Sequence, residues 1–461
     1  MRLTVIGCGY LGAVHAAAMA DLGHHVLGVE TDPARLALLA RGEAPFYEPG
    51  LDELLRRGAR TGRLRYTAEL DGAAARADVH FLAVGTPQSP SGRGADLSHL
   101  WRAVDSLAAV LPRCVHPDGM PLVVGKSTVP VGTAQQVADR LAGRALVVWN
   151  PEFLRESMAV ADTLSPDRIV YGLPTEPARA ERARAVLDEV YAPILAAGTP
   201  RLTMGYQTAE LVKTAANAFL ATKISFINAM SALCAATGAD VTVLADAIGR
   251  DARIGPHFLR AGLGFGGGCL PKDLRGLEQS AAELGANGLA SFLSRVDSIN
   301  RGQRDRVTQM ALEALGPNPA GRAVTILGIT FKPDSDDLRD SPVLEVALRL
   351  ADAGAVVTVH DPRGLEGLSR LHPVLRAQPD ALRALEGAEL VILGTEWKEL
   401  TDLDPRAAAA RVARPVVIDA RNALAPSRWT AAGWDYHGIG RPSELRWSAP
   451  RRRALAGTMV G

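Results

Sequence analysis

The sequence predicts an α/β protein of two Rossmann-like domains joined by a long central helix and a helical middle domain. Three observations carry this. Short β-rich runs alternate with Ala- and Leu-rich helical patterns in the first half of the chain, an alternation that builds βαβ units on a parallel sheet. The alternation stops in the middle, where residues 207–236 read as one uninterrupted helix, and it returns after Pro317.

The first strands are read at Leu3–Gly7, His25–Glu30, Val79–Val84, Leu122–Lys126 and Leu146–Trp149, with helical segments at Leu11–Leu22, Pro33–Ala40 and Ser98–Leu111. The long helix runs from Gln207 to Ala236 without Pro or Gly and is closed by Gly238. Leu211, Val212, Ala215, Ala216, Ala218 and Phe219, then Ile224, Ile227 and Leu233, fit a helical apolar stripe. A helix of ~30 residues is ~45 Å long, which suits a connecting spine and a candidate dimer interface. Further strands are expected at Val324–Ile329, Val356–His360, Leu390–Gly394 and Val416–Asp419, with a helix over Pro342–Ala353. The expected organisation is an N-terminal dinucleotide-binding domain over 1–200, a helical domain over 201–315, a C-terminal Rossmann-like domain over 316–445 and a basic tail over 446–461.

Composition narrows the function classes. The 461 residues carry Lys+Arg 51 against Asp+Glu 50, so no general charge favours nucleic acid or a membrane surface. The cluster Arg451, Arg452, Arg453 reads as a solvated tail. No apolar stretch is read as reaching the ~18 residues that span a bilayer, and no secretory signal is visible. Cys8, Cys114, Cys234 and Cys269 form no CxxC pair, and no His/Cys cluster has zinc spacing, so no metal is expected. The protein reads as cytoplasmic, with reduced thiols.

Gly7-Cys-Gly-Tyr-Leu-Gly12 follows a strand and opens a helix. In that setting Gly7 permits a tight turn, Gly9 lets backbone approach a pyrophosphate, and Gly12 lets helix and strand pack closely. The helix start at Tyr10 and Leu11 offers free N–H groups to phosphates. Glu30 ends the next strand, where a carboxylate accepts from ribose hydroxyls and repels a 2′-phosphate, so NAD is favoured over NADP. Thr86, in Val84-Gly-Thr-Pro87, and Thr128, in the run from Gly125 to Gly132, follow later strands and form a candidate far wall. Lys126 and Thr128 read equally as ordinary loop residues.

The segment Gly262 to Asp273 sets five glycines before Cys269, followed by Lys272 and Asp273. Glycines at that density mark close backbone approach or positive φ, and a nearby ammonium favours a thiolate. Lys213 and Asn217 share a helix face at i, i+4, although a snorkelling lysine has the same spacing. Glu152 and Glu156 follow a strand and are candidates for acid–base work or for a helix N-terminus.

From about residue 1 to about 440 the chain resembles the UDP-glucose/GDP-mannose dehydrogenase family, through GCGYLG, GTP, GKSTVPVGT, NPEFLRES, ELVKTAANAFLATKISFIN, RIGPHFLRAGLGFGGGCLPKD, GITFKPDSDDLRDSP, TEW and DARN in that order. The resemblance implies a nucleophile at Cys269, with Lys213 and Asn217 holding the reacting C6 oxygen. Thr128 and Glu152 would help position and activate water, with Asp273 as a further polar partner. Cofactor contacts would come from Gly7, Gly9, Tyr10, Leu11, Gly12, Glu30, Arg35, Thr86, Thr128, Glu156, Lys272 and Arg339. Substrate contacts would come from Glu152, Phe153, Leu154, Glu156, Lys213, Asn217, Phe258, Gly266, Phe331, Lys332 and Arg421, with Arg253 reaching a neighbouring subunit's site in a homodimer or higher homo-oligomer. The implied reaction is a four-electron, NAD-dependent oxidation of UDP-glucose through a cysteine thiohemiacetal and thioester; GDP-mannose and a UDP-N-acetylhexosamine are the alternatives. Many family members carry Ser where this chain has Gly268 and Glu where it has Ala229; Leu270 stands beside the expected sugar site. An inactive nucleotide-sugar binder would have lost the nucleophile or the glycine motif, and both are intact. A two-electron dehydrogenase of small hydroxy acids would need neither Cys269 nor the second α/β domain.

Overall fold

Aliphatic and β-branched runs bounded by Gly or polar residues form the strands of two sheets. The computed structural model describes residues 1–70, 76–89, 94–111 and 119–442; Cys114 and the expected basic tail lie outside them. The first sheet comprises β1 (Arg2–Ile6), β2 (His25–Val29), β3 (Leu64–Thr67), β4 (Val79–Leu82), β5 (Leu122–Gly125), β6 (Leu146–Trp149), β7 (Ile169–Leu173) and β8 (Arg201–Gly205), in the order β3-β2-β1-β4-β5-β6-β7-β8. β4, β5 and β6 are buried along their whole length, the mark of strands covered on both faces. The sheet is parallel except between β6 and β7. β8 pairs in parallel with β7, so the sheet continues past the boundary expected at residue 200.

The second sheet is wholly parallel: β9 (Ala323–Leu327), β10 (Val356–His360), β11 (Arg376–Ala377), β12 (Leu390–Leu393), β13 (Val416–Asp419) and β14 (Asp435–Gly438), ordered β11-β10-β9-β12-β13-β14. That order repeats the first six strands of the N-terminal sheet, although the sequences read as unlike. The turns repeat too. Gly7 N donates to Val29 O at 2.9 Å with φ +87°, and Gly328 N donates to His360 O at 2.7 Å with φ +84°. Each turn is held by a buried carboxylate ending or following the neighbouring strand. Glu30 accepts from Cys8 N at 3.1 Å, and Asp361 accepts from Ile329 N at 2.7 Å.

Six helices position the site: α1 (Tyr10–Asp21), α2 (Thr133–Leu141), α3 (Tyr206–Thr237), α4 (Leu270–Glu283), α5 (Asn287–Leu315) and α6 (Pro342–Asp352). α3 packs against β6, β7, α2, α4 and α5. Its buried face differs from the apolar stripe the sequence suggests. Glu210, Lys213, Thr214, Ser225, Asn228 and Ser231 are buried there, whereas Phe219, Phe226 and Leu233 are exposed at 67%, 51% and 56%. α3 is also long and apolar enough, by length and composition, to cross a membrane, contrary to the expectation that no stretch is. Its buried polar side chains bond other parts of the chain: Glu210 accepts from Ala134 N, and Asn228 accepts from Gly262 N.

The glycine-rich loop before α4 lies pressed between α5 and the second sheet. Leu263 N donates to Ala420 O at 2.9 Å, and Gly267 N donates to Arg339 O at 3.0 Å. A Cβ on Gly262 would come 2.6 Å from Ala420 O, and one on Gly267 would come 2.7 Å from the Phe331 ring. Asn300 of α5 braces the loop from behind, accepting from Phe265 N at 2.8 Å and donating to Phe265 O at 3.0 Å. Arg275, Asp297, Asp340 and Arg304 join α4, α5 and the loop before α6 in a chain of ion pairs. Gly264 has φ +88°, and a side chain there would overlap Asn300 Oδ1. Gly264→Ala is expected to destabilise the protein by about 2–4 kcal/mol, combining the left-handed backbone with overpacking; chemical denaturation measures it.

Candidate active site

The cofactor end is assembled at the carboxyl edge of β1 and β2. A Cβ on Gly7 would meet Val84 at 2.8 Å, while one on Gly9 would meet nothing within 4 Å, so backbone is bare where a ligand must come close. α1 has no side-chain cap at Gly9, which leaves the N–H groups of Tyr10, Leu11 and Gly12 for an anion. Glu30 is buried and engaged: it accepts from Cys8 N, from Asp32 N at 2.9 Å and from Arg35 Nη1 at 3.1 Å. It therefore shapes the glycine turn besides offering a carboxylate to a ribose. These features fit a dinucleotide. Cys8 is buried, as a packed residue in the turn.

Cys269 is the N-cap of α4 and is exposed to solvent. A helix N-terminus favours a thiolate, but protein surrounds the sulfur on its other sides. That burial, with the Glu152 and Asp273 carboxylates adding to it and Lys213 opposing, pushes the thiol up to about 12. Lys213 reaches the same place from α3, its Nζ 2.9 Å from Glu152 Oε1. Burial works against its charge, and Glu152, the Cys269 sulfur and Asp273 more than offset that, so it stays above the ordinary lysine range. Asn217, one turn on, donates to Asp273 Oδ2 at 2.7 Å, and Lys272 Nζ donates to Asp273 Oδ1 at 2.7 Å. The i, i+4 pair on α3 thus addresses both carboxylates at the cysteine, and the lysine is a buried partner and not a snorkelling one.

The other predicted residues fall into three groups. Thr128 lines a cleft with Thr214, Lys272 and Asp273, and Thr86 Oγ1 donates to Thr128 O at 2.8 Å, tying the two far-wall loops together. Glu152 Oε2 accepts from Leu154 N at 2.6 Å, and the Phe153 ring stacks under the Arg168 guanidinium at 3.9 Å. A second group spans the seam between the sheets. Lys332 Nζ donates to Glu156 O, and Arg339 pairs with Glu156 at 3.3 Å and Asp337 at 2.7 Å. Burial, then Asp337, pushes the Glu156 carboxyl up to about 7. Gly266 and Phe331 pack in the loop contact described above, and Gly268 has the Arg339 guanidinium where a side chain would lie, at 2.7 Å. Arg421, expected to contact substrate, spends its guanidinium on backbone oxygens of Gly394, Gly264 and Phe331 at 2.7, 3.0 and 3.1 Å. The third group is not drawn to Cys269 within this chain: Arg253 is 89% exposed and pairs with Asp251 at 2.6 Å, and Phe258 is partly exposed with φ +62°.

Sequence reasoning missed two buried carboxylates. Glu48 bonds Tyr10 Oη and accepts from Ser157 N and Ala159 N at 2.8 Å each, which ties the cofactor turn to the Glu156 loop. Glu210 accepts from Gly132 N at 2.7 Å and Ala134 N at 2.6 Å, capping α2 from α3. Neither shows in local sequence, because each serves donors far away along the chain.

Comparison with known proteins agrees with this geometry. Models of the UDP-glucose/GDP-mannose dehydrogenase family match in three parts: the NAD binding domain over residues 1–195, the central domain over 207–302 and the UDP binding domain over 325–426. A UDP-glucose 6-dehydrogenase of Pseudomonas aeruginosa is 41% identical over 96% of this chain and 98% of its own length. One from Rhizobium meliloti is 39% identical over 96% and 100%. The solved structure of a UDP-glucose dehydrogenase from Pyrobaculum islandicum superposes with a TM-score of 0.86 at 38% identity, covering 95% of this chain and 98% of that one. The glycine turn at the carboxyl end of β1, within a matching NAD binding domain, places the protein among the NAD-dependent dehydrogenases. The chain belongs to the UDP-glucose/GDP-mannose dehydrogenase family.

The charges around Cys269 set its reactivity in the free enzyme. Alkylation by iodoacetamide at pH 8 is expected to be slow, to speed up in Glu152→Gln and to slow in Lys213→Met, by roughly tenfold per unit of thiol shift. Mass spectrometry of the peptide carrying Cys269 against time measures each rate.

Proposed function

We propose that the protein oxidises the C6 alcohol of UDP-glucose to a carboxylate through a covalent adduct on Cys269. The observation that supports this most is the convergence of an exposed thiol, a buried lysine–carboxylate pair and an amide–carboxylate pair at the start of α4. The relatives in Pseudomonas aeruginosa and Rhizobium meliloti carry that activity in their names. Two NAD molecules, bound in turn, would each accept one of the two hydrides that leave C6.

The residues divide the work. Glu152 takes the proton of the C6 hydroxyl and, as after each later proton it accepts, releases it to solvent before it acts again. The Cys269 thiol gives its proton to Glu152 as the sulfur adds to the aldehyde carbon, and the new S–C bond keeps the intermediate from diffusing away. Lys213 and Asn217 donate to the oxygen that carries negative charge, as an oxyanion hole does. Loss of a second hydride from the adduct leaves a thioester. Water, oriented by Thr128 and Asp273 and deprotonated by Glu152, attacks its carbonyl, and the C–S bond breaks to release carboxylate and thiol. The C-terminal sheet holds the nucleotide, with Lys332 and Phe331 beside the sugar. The working unit is a homodimer joined along α3, whose exposed Phe219, Phe226 and Leu233 recur every seven residues, and Arg253 serves the site of the partner copy. A free thiol nucleophile suits the reducing cytoplasm.

The experiment is NADH formed per UDP-glucose consumed, with Cys269→Ser alongside. Two NADH per sugar, with the variant stalling at an adduct or aldehyde, is the expected result. Two NADH from GDP-mannose or a UDP-N-acetylhexosamine, and none from UDP-glucose, would transfer the mechanism to that substrate. Silence with every nucleotide sugar would overturn the reading.

A further inference from the structure

Lys126 stands at the carboxyl end of β5, 7% exposed. Its Nζ donates one hydrogen bond, 3.0 Å to Asn150 Oδ1. The same oxygen accepts from Tyr191 Oη at 2.7 Å, and Asn150 Nδ2 donates to Val170 O at 2.9 Å. The partner is therefore neutral, and it keeps its other bonds without the lysine. Among the described residues no carboxylate is paired with Lys126.

Four titratable groups face this ammonium. His15 of α1 is held neutral by burial, with Lys126 itself pushing the same way. Tyr191 is held protonated by burial. The other two are charged: Glu152, after β6, attracts Lys126, and Lys213, on α3, repels it. Lys213 with Glu152 and Lys272 with Asp273 are formally neutral pairs. Lys126 is thus the one cation of this group without a counter-ion of its own.

We propose that Lys126 is a positioning residue for the oxidation, an uncompensated buried cation that draws on Glu152 and so frees the Lys213 ammonium to meet negative charge on the C6 oxygen. The inference rests on Lys213 serving that oxygen. Burying an ammonium beside a neutral amide is unfavourable, and a strut at this place is served as well by an apolar chain of similar length. Burial pushes the Lys126 ammonium down to about 8. Between about 8 and its unfolded value of about 10.5 the unfolded chain therefore binds more protons than the folded one, and stability rises with pH in that window.

The test compares Lys126→Met and Lys126→Arg with wild type by thermal melting and by kcat against pH with UDP-glucose and NAD. Lys126→Met is expected to melt no lower than wild type at pH 7, and wild type should gain on it as pH rises above about 8. Its kcat should fall roughly tenfold or more, with KM for either substrate changing less than about threefold. Wild-type kcat should decline above about pH 8 as the ammonium loses its proton, and Lys126→Arg should remove that decline, because a guanidinium stays charged. A kcat for Lys126→Met within about twofold of wild type, an unchanged alkaline decline in Lys126→Arg, or a Lys126→Met that fails to fold would each overturn the proposal. Lys213→Met separates this from failure of the underlying reading. If its kcat survives, the role given to Lys213 falls; if its kcat is lost while Lys126→Met works normally, only the role of Lys126 falls.

Discussion

Backbone-to-backbone contact along 262–268 is the constraint on which the rest of the structure depends. Side chains keep most segments apart by several ångströms. Here glycines let one strand of chain touch Asn300 of α5, the Arg339–Asp340 loop and the end of β13 at Ala420. Cys269 follows that loop directly and begins α4. Its position against Lys213 and Glu152 is thus set by how closely the loop is seated, and Arg421 secures the seat by donating to Gly264 O and Phe331 O together.

Electrostatics around this seam follows one device used repeatedly. A buried carboxylate gathers backbone N–H groups that strands and loops leave over: Glu30 under the first glycine turn, Asp361 under its counterpart, Glu48 behind the Glu156 loop and Glu210 at the start of α2. Each is satisfied by hydrogen bonds, as buried charge requires. Lys126 is the contrast, with one neutral partner and a charge left over beside the reacting groups.

Much of this was legible in the sequence. Strands such as Leu146–Trp149, Val356–His360 and Val416–Asp419 are short runs rich in Val and Ile and read to the residue. The turn at Gly7, the cysteine loop and the Lys213–Asn217 pair carry residue types that bland packing does not explain. What escaped reading has physical reasons. β3, β8, β11 and β14 are the edge strands of the two sheets, and β7, though interior, is placed by pairing, as when Trp149 meets Gly172 in antiparallel register. The 29-residue α5 has an indistinct apolar face, because Asp297, Asn300 and Arg304 are buried on it for their hydrogen bonds and ion pairs. The same inversion misled the reading of α3, where polar residues face inward and phenylalanines outward. The three carbonyls that Arg421 bonds belong to Gly394, Gly264 and Phe331, which lie far from it along the chain and so leave no local sequence signal.

The seating of the cysteine loop also orders events during synthesis. The glycine turn at Gly7 closes on Val29 and Glu30, near neighbours along the chain. The cysteine loop closes on Arg339 and Ala420, which emerge from the ribosome far later. Contacts between distant segments carry the larger loop-closure cost and form later. A growing chain therefore completes its dinucleotide turn well before its thiol is seated. The reactive centre matures last, once the C-terminal sheet has formed, and an unfinished chain has a cofactor cradle with no placed nucleophile.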